Sequence, residues 1–253
     1  MPVIALRRLG ILTAVLLATV ALGAESRQAA LPLGKDVLAR NVQALGGVAA
    51  HQAIKSVRAR GKLAIPSQNI SGDFEAQSMR PDKMITKVSV PGIGSITGGY
   101  NGKVGWTLNP IAGPALLEGR ELSEAADDSW FDNSLFLPDR VKDATTLART
   151  EFDGHPAFKV KVTFISGRDE IHYFDATSGL ELGSDLERAT PQGVIPTVHF
   201  LRDYKKFGAV LIATTQVERA LGFETVTTIA TVEFDVVDAA VFELPAEIKA
   251  LIK

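Results

Sequence analysis

The chain has 253 residues, of which 46% are hydrophobic and 22% are charged, as in soluble globular proteins with a substantial core. It contains no cysteine, which excludes disulfides, thiol nucleophiles and cysteine-ligated metals. Its formal net charge of −2 argues against a protein that acts by binding nucleic-acid phosphates.

The N-terminal residues have the features of a secretory signal peptide. Arg7 and Arg8 precede an apolar stretch from Leu9 to Leu22, and the small residues Gly23 and Ala24 follow. The stretch is shorter than the roughly 20 residues of a membrane-spanning helix. We therefore predict that residues 1–24 are a signal peptide, cleaved near residue 23 or 24. The mature protein would be periplasmic, without a stable transmembrane span. An uncleaved membrane anchor is the alternative.

Two short helices are predicted next. Apolar residues recur at helical spacing over Asp36–Leu45, and Gly46-Gly47 is typical of a helix end. A second short helix is predicted over Val48–Lys55.

From Val57 onward the apolar residues recur at every second position, which indicates strands. Arg58, Arg60 and Lys62 alternate with small or apolar residues, so one face of the first strand should be solvated. The same alternation, with turn dipeptides between segments, continues to Val236 and predicts about ten strands in an antiparallel meander. In the last strand it places Ile229 on the polar face with Thr231.

One segment interrupts the strands. Residues 118–137 are predicted to form a helical insertion that lies across the sheet, and its acidic residues Asp127, Asp128 and Asp132 are interpreted as a solvated helix face rather than a cation site. No linker or repeat divides residues 31–253, which predicts a single domain.

No catalytic constellation is recognisable. The four histidines have no partner at zinc-motif spacing, and there is no nucleophile elbow, P-loop or dinucleotide fingerprint. We interpret His155 and His172 as ordinary surface or strand-edge residues. The sequence thus predicts a protein that is not an enzyme and uses no metal or cofactor. Whether the sheet encloses a filled core or a ligand cavity stays open on this reasoning.

Several short segments, in their order and spacing, resemble periplasmic outer-membrane lipoprotein-sorting (LolA-like) proteins across residues 35–245. They are Ala44–Gly47, Ala53–Leu63, Arg80–Lys83, Gly98–Trp106, Asn109-Pro110, Gly113-Pro114, Leu117–Gly119, Gly154–Phe158, Tyr173–Asp175 and Ser178–Leu180. The resemblance implies a mainly β fold, a half-open antiparallel barrel whose apolar concave face is covered by helices. It also implies a carrier of lipoproteins or other lipids.

Two functions follow as hypotheses. The first is a non-enzymatic periplasmic carrier or binder of lipid or lipoprotein acyl chains, with inner- or outer-membrane delivery proteins as further partners. The second is an interaction or scaffold module with a filled core. The expected ligand-binding residues are large apolar side chains of the concave face and of the insertion that would cover it: Leu63, Ile65, Phe74, Met84, Val88, Trp106, Leu116, Leu117, Leu122, Trp130, Phe131 and Phe136.

Overall fold

The structure, a computed structural model, describes residues 30–191 and 193–252. The predicted signal peptide lies outside the described residues. The helices are α1 (Gly34–Ala44), α2 (Val48–Gln52), α3 (Gly119–Asp128) and α4 (Ala246–Lys249). The strands are β1 (Ser56–Ile65), β2 (Ile70–Met79), β3 (Lys83–Val90), β4 (Gly94–Tyr100), β5 (Gly105–Asn109), β6 (Gly113–Leu116), β7 (Val141–Phe152), β8 (His155–Phe164), β9 (Asp169–Asp175), β10 (Glu181–Thr190), β11 (Gly193–Phe207), β12 (Val210–Ala220) and β13 (Phe223–Phe234). No helix of the described part has the length and apolarity needed to cross a bilayer.

All thirteen strands belong to one antiparallel sheet, in the order β6-β5-β4-β3-β2-β1-β13-β12-β11-β10-β9-β8-β7. Strands that are neighbours in sequence pair with each other, except β6 and β7, and the pairing of β1 with β13 joins the two halves. Within the described residues β6 and β7 each pair on one side only, so they are the two edges and the sheet is not closed. The predicted antiparallel meander is therefore confirmed, with three strands more than the sequence indicated.

The solvated face predicted for β1 is confirmed. Arg58, Arg60 and Lys62 lie opposite Gln77, Glu75 and Asp73 of β2. The pairs Arg60–Glu75 and Lys62–Asp73 each form an ion pair of 2.6 Å. This side of the sheet is called the outer face here. Since side chains alternate along a strand, Leu63 and Ile65 lie on the opposite, inner face.

The face predicted for Ile229 in β13 is wrong. The register shifts between Arg60 and Gly61, which pair with Thr231 and Ile229, so that Ala230 is a bulge. A bulge reverses the alternation beyond it, and Ile229 therefore lies on the inner face. Gly61 is required here, because an added Cβ would lie 1.7 Å from the carbonyl oxygen of Thr228.

Helices α1 and α3 both cover the inner face. The buried Val37 and Leu38 of α1 pack with Val160 and Val162 of β8 and with Phe174 of β9. Helix α3 contacts β4, β5 and β10 on the other side of the same face. The two helices expected near residues 36–55 are confirmed with slightly different ends.

The helix expected over residues 118–137 is too long. Helix α3 ends at Asp128, a separate 3-10 turn covers Asn133–Leu135, and Phe136 adopts a left-handed conformation with φ of 48°. Two carboxylates, Asp127 and Asp128, stand at the helix end where the macrodipole disfavours negative charge, which opposes further helix. After α3 the chain changes direction, and Leu135 and Phe136 are buried against α1.

Candidate functional site

A cavity of about 470 Å³ lies on the inner face, between the sheet and the segment from Asp127 to Arg140. On one side its wall is apolar, formed by strands β1 to β3 and β13. On the other side the wall, formed by β9 to β11, carries charged groups. The apolar lining residues are Val57, Ala59, Phe74, Ala76, Met84, Phe136, Phe164, Leu186, Leu201 and Ile229. We refer to this space as the central cavity.

Three arginines hold the end of α3 over the central cavity. Arg168 Nη1 donates to Asp128 Oδ1 at 3.0 Å, and Arg188 Nη1 donates to Asp128 Oδ2 at 2.6 Å. Arg140 Nη2 donates to Asp127 Oδ1 at 2.9 Å. The side chains of Arg168 and Asp127 are mostly buried, at 14% and 11% exposed, whereas those of Arg140, Arg188 and Asp128 are each about 30% exposed. Charge thus fixes the end of α3 to β10 and to the residues that flank β7 and β9.

The acidic residues of the insertion are therefore not a solvated helix face, and that expectation is wrong. Asp132 is also buried, and both oxygens of its carboxylate accept hydrogen bonds from Arg80, at 2.5 and 2.7 Å. The guanidinium of Arg80 additionally stacks on the ring of Phe131 at 4.5 Å. The physical reason is pairing, because a carboxylate leaves water only where cations and donors replace its hydration.

The expectation that His172 is a surface or edge residue is likewise wrong. Its ring is buried between two carboxylates, with Nδ1 at 2.7 Å from Glu181 Oε1 and Nε2 at 3.0 Å from Glu170 Oε2. Burial alone would lower the pKa of His172, but the charges and hydrogen bonds of Glu181 and Glu170 outweigh it and raise that pKa to about 9. His172 is therefore an imidazolium at neutral pH. His155, in contrast, has a side chain that is 60% exposed, as expected.

Glu170 and His172 alternate along β9, Arg168 directly precedes that strand, and all three line the central cavity. With residues of α3, of β10 and of the segment before β7, they form what we call the ion network: Arg140, Arg168, Arg188, His172, Asp127, Asp128, Glu170 and Glu181. Its four cations and four carboxylates balance. Within residues 30–191 and 193–252, no group of three potential ligands has an arrangement that could hold a metal ion.

His199 also lines the central cavity, from β11. Burial lowers its pKa, against the opposing charges of Glu181 and Glu218. It is therefore neutral where His172 is charged, although both rings face the same space. Identical side chains thus differ in charge because only His172 is hydrogen-bonded by two carboxylates.

A larger and more apolar space lies beside α1. This groove has a volume of about 840 Å³ and runs between α1, the residues before β7, and the free edge strand β7. We call it the α1 groove. Its apolar lining comprises Leu31, Pro32, Leu33, Leu38, Ala39, Val42, Val48, Leu135, Phe136, Leu137, Pro138, Val141 and Ala144. Lys35, Lys142 and Asp143 are the charged residues that border it.

The structure separates the residues that the sequence placed together as a ligand site. Phe74, Met84 and Phe136 line the central cavity. Leu63, Ile65 and Val88 lie on the same face but outside that lining, nearer the hairpins between β1 and β2 and between β3 and β4. Of the predicted set, Phe136 alone also lines the α1 groove. None of these placements tests ligand binding, which stays a prediction.

The remaining predicted residues pack around α3 or on the outer face. Leu117 and Leu122 lie over Gly105, and Trp130 stacks on Arg140 at 4.6 Å. Trp106 pairs with Gly99, which pairs with Ile85, and this register places the indole on the outer face together with its neighbour Leu116. Trp106 borders a further space of about 370 Å³ beneath α3, but not the central cavity.

Trp106 is only 2% exposed although the outer face of β1 is solvated. The C-terminal segment contacts this region, with the 3-10 turn Ala239–Phe242 against β3 and α4 against β6. Phe242 and Ile248 of that segment are buried. Trp106 therefore belongs to a small core on the outer face.

Solved structures with the same arrangement include three of similar size. A DUF1329 family protein from Desulfovibrio piger aligns over 84% of this chain and 98% of its own, with a TM-score of 0.59 and 12% identity. A LolA superfamily protein from Nitrosomonas europaea aligns over 85% and 99%, with a TM-score of 0.54 and 11% identity. The chain has a LolA-like fold.

A domain named for outer membrane lipoprotein sorting, from Vibrio parahaemolyticus, gives the same picture. It aligns over 83% of this chain and 96% of its own, with a TM-score of 0.54 and 11% identity. The expected half-open antiparallel barrel with helices on its concave face is thereby confirmed, the inner face being the concave one. No family model matches the sequence, and no curated protein is similar to it in sequence.

Proposed function

We propose that this protein is a non-enzymatic periplasmic binder or carrier of lipid or lipoprotein acyl chains, and that the bound acyl chain lies in the α1 groove. The observation that carries the proposal is the groove itself. Its volume of about 840 Å³ falls within the roughly 300–1,000 Å³ of typical ligand sites, and its lining is mostly apolar. The LolA-like fold supports the same class of function and an exported location.

The central cavity is the less favourable place for an acyl chain. Methylene groups in the central cavity would contact the ion network. Its charged side chains are stabilised by one another, and contact with an apolar group does not stabilise them further. Widening the cavity would also require α3 to move, which breaks the pairs of Asp127 and Asp128 with Arg140, Arg168 and Arg188. Separating these partly buried ion pairs leaves charges without their partners and is unfavourable.

The α1 groove needs no such opening. It is bordered by the free edge of β7 and by Lys35 and Lys142, which offer positive charge to a carboxylate or phosphate head group. Thr146, which also borders the groove, has a buried hydroxyl that no described residue hydrogen-bonds. An apolar chain with one polar end matches this distribution of groups.

Binding of fluorescent fatty acyl probes of increasing chain length tests the proposal. Affinity should rise by about fourfold per added methylene, the equivalent of about 0.8 kcal/mol, until the groove is filled. Ala39→Trp places a bulky ring in the groove from an exposed position of α1, and should weaken binding at least tenfold. Ala49→Trp, on an exposed position of α2 outside the groove lining, is the matched control and should leave affinity unchanged.

A third variant separates the two spaces. Ala76→Phe narrows the central cavity and should not affect binding if the chain lies in the α1 groove. Loss of binding in Ala76→Phe but not in Ala39→Trp would put the ligand on the concave sheet, where the sequence placed it. Absence of binding, or affinity that does not change with chain length, would refute the carrier function and favour the scaffold alternative.

A further inference from the structure

Six hairpins meet at one end of the sheet. Because the strands are antiparallel and β1 pairs with β13, the turns β1–β2, β3–β4, β5–β6, β8–β9, β10–β11 and β12–β13 all lie at the same end. The other five hairpins lie at the opposite end. The two ends can therefore be compared turn by turn.

Exposed aliphatic side chains are concentrated at this first end. Four of its six turns each carry one, namely Ile93 (39% exposed), Ile111 (84%), Ile165 (60%) and Leu221 (69%), and Val194 (49%) lies at the start of β11, beside a fifth turn. Ile96 and Phe223 extend the set just inside their hairpins. We call these seven residues the hairpin rim. Among the described residues, no turn between strands at the opposite end has an exposed large hydrophobic side chain.

The hairpin rim also lacks free charge. No charged residue occurs in the segments that form four of its turns: 64–72, 88–102, 104–117 and 189–198. In the β12–β13 hairpin, Arg219 and Glu224 neutralise each other in an ion pair of 2.7 Å. In the β8–β9 hairpin, Arg168 turns inward to Asp128, and Asp169 forms an ion pair of 2.7 Å with Lys161. At the opposite end, by contrast, the turns include Asp82 and Lys103, for which no ion pair is seen within the described residues, besides the paired Arg80 and Asp153.

We propose that the hairpin rim docks the protein onto the surface of a lipid bilayer, with its aliphatic side chains inserted at the interface. Neighbouring tips are two strands apart, roughly 10 Å, and therefore form separate points rather than a continuous patch. A protein interface requires a contiguous, complementary core enriched in aromatic residues. A fluid bilayer accepts separate aliphatic groups without a complementary shape, and tips that carry no unpaired charge enter it at little electrostatic cost.

This inference does not depend on ligand binding in the α1 groove. Ala39→Trp, which should lose acyl-probe binding, should still bind vesicles. The charge pattern also predicts which lipids are required, because a rim without net charge needs no anionic lipid. Binding to phosphatidylcholine vesicles should therefore match binding to vesicles with added phosphatidylglycerol, and salt should have little effect.

The absence of native cysteine allows a site-specific test in the full chain. Single variants Ile111→Cys and Leu221→Cys, labelled with an environment-sensitive fluorophore, should show a blue shift when phosphatidylcholine vesicles are added. Leu147→Cys, at a leucine within β7 that is also exposed (47%), is the control and should show none. Because the N-terminal segment is identical in all three, only contact at the rim separates their signals.

A second measurement uses loss of apolar groups without a change of fold. Leu221 has a left-handed φ of 52°, which asparagine adopts readily, so Leu221→Asn should not destabilise its turn. The double variant Ile111→Ser, Leu221→Asn should reduce vesicle partitioning about tenfold or more while keeping the unfolding midpoint.

An unshifted fluorophore at positions 111 and 221, or an equal shift at 147, would overturn the proposal. So would binding that requires anionic lipid. Light scattering that shows a dimer in wild type and a monomer in the double variant would instead assign the rim to contact between two copies.

Discussion

The charge of His172 makes a quantitative prediction about stability and pH. In the folded protein its pKa is raised from 6.5 to about 9 because Glu170 and Glu181 favour the imidazolium more than burial disfavours it. Between these values the folded state binds a proton that the unfolded state releases. The free energy of unfolding must therefore fall as the pH rises from about 6.5 to about 9, and the stabilisation is fully present below that window.

The magnitude follows from the size of the shift. One pKa unit corresponds to about 1.36 kcal/mol, so a shift from 6.5 to about 9 amounts to roughly 3 kcal/mol. Chemical denaturation at intervals from pH 6 to pH 10 measures this directly. A loss of about that size is a large fraction of the stability of an ordinary domain, and it should appear as a clear drop in the denaturation midpoint.

Two variants identify the group responsible. His172→Gln removes the titrating ring and should abolish the decline between pH 6.5 and 9, while lowering overall stability because Glu170 and Glu181 lose their cation. His155→Gln removes a histidine whose side chain is 60% exposed and should keep the wild-type profile. A wild-type protein whose stability is flat across this window would show that His172 is not held as an imidazolium.

Two further predictions concern packing and ion pairs. Gly99→Ala should destabilise the protein by about 1–3 kcal/mol in chemical denaturation, because the added Cβ would lie 2.8 Å from Trp106 Cζ2. Gly98→Ala is the control and should be nearly neutral, because its Cβ would have no atom nearer than 3.8 Å. Asp132→Ala should cost about 2–4 kcal/mol, since it leaves Arg80 unpaired beside a buried site, while Asp73→Ala in the exposed pair with Lys62 should cost less than about 1 kcal/mol. Equal effects at Asp132 and Asp73 would contradict the burial argument.

The fold could be predicted because its signals are local. Alternation in β1, for example, is enforced by Arg58, Arg60 and Lys62, which cannot face a core without partners. The bulge at Ala230 could not be predicted in this way, because its cause lies across the sheet, where Gly61 accommodates the carbonyl of Thr228. The face of Ile229 followed from that non-local contact.

The ion network was missed for a related reason. Its partners are far apart in sequence, as in the pairs of Asp128 with Arg168 and Arg188, and no spacing rule connects them. One signal was present, since Arg168, Glu170 and His172 occupy every second position at the start of a strand whose residues 171, 173 and 174 are Ile, Tyr and Phe. Three titratable side chains at every second position indicate a charged inner wall. This pattern favours a buried His172 paired with carboxylates, even though such histidines are rare in general.

The packing around glycines explains why the proposed α1 groove differs from the ligand site that the sequence predicts. Large apolar residues such as Trp106 and Leu122 were predicted to contact the ligand. In the structure Trp106 packs over Gly99, and Leu122 of α3 packs over Gly105. The size of an apolar side chain does not show whether it lines a cavity or fills the core. A side chain that lies over a glycine is packed in the core. The α1 side chains next to the edge strand β7, in contrast, line a groove because the sheet ends there. In an open barrel, unfilled apolar space is therefore to be sought at the edge where the sheet ends.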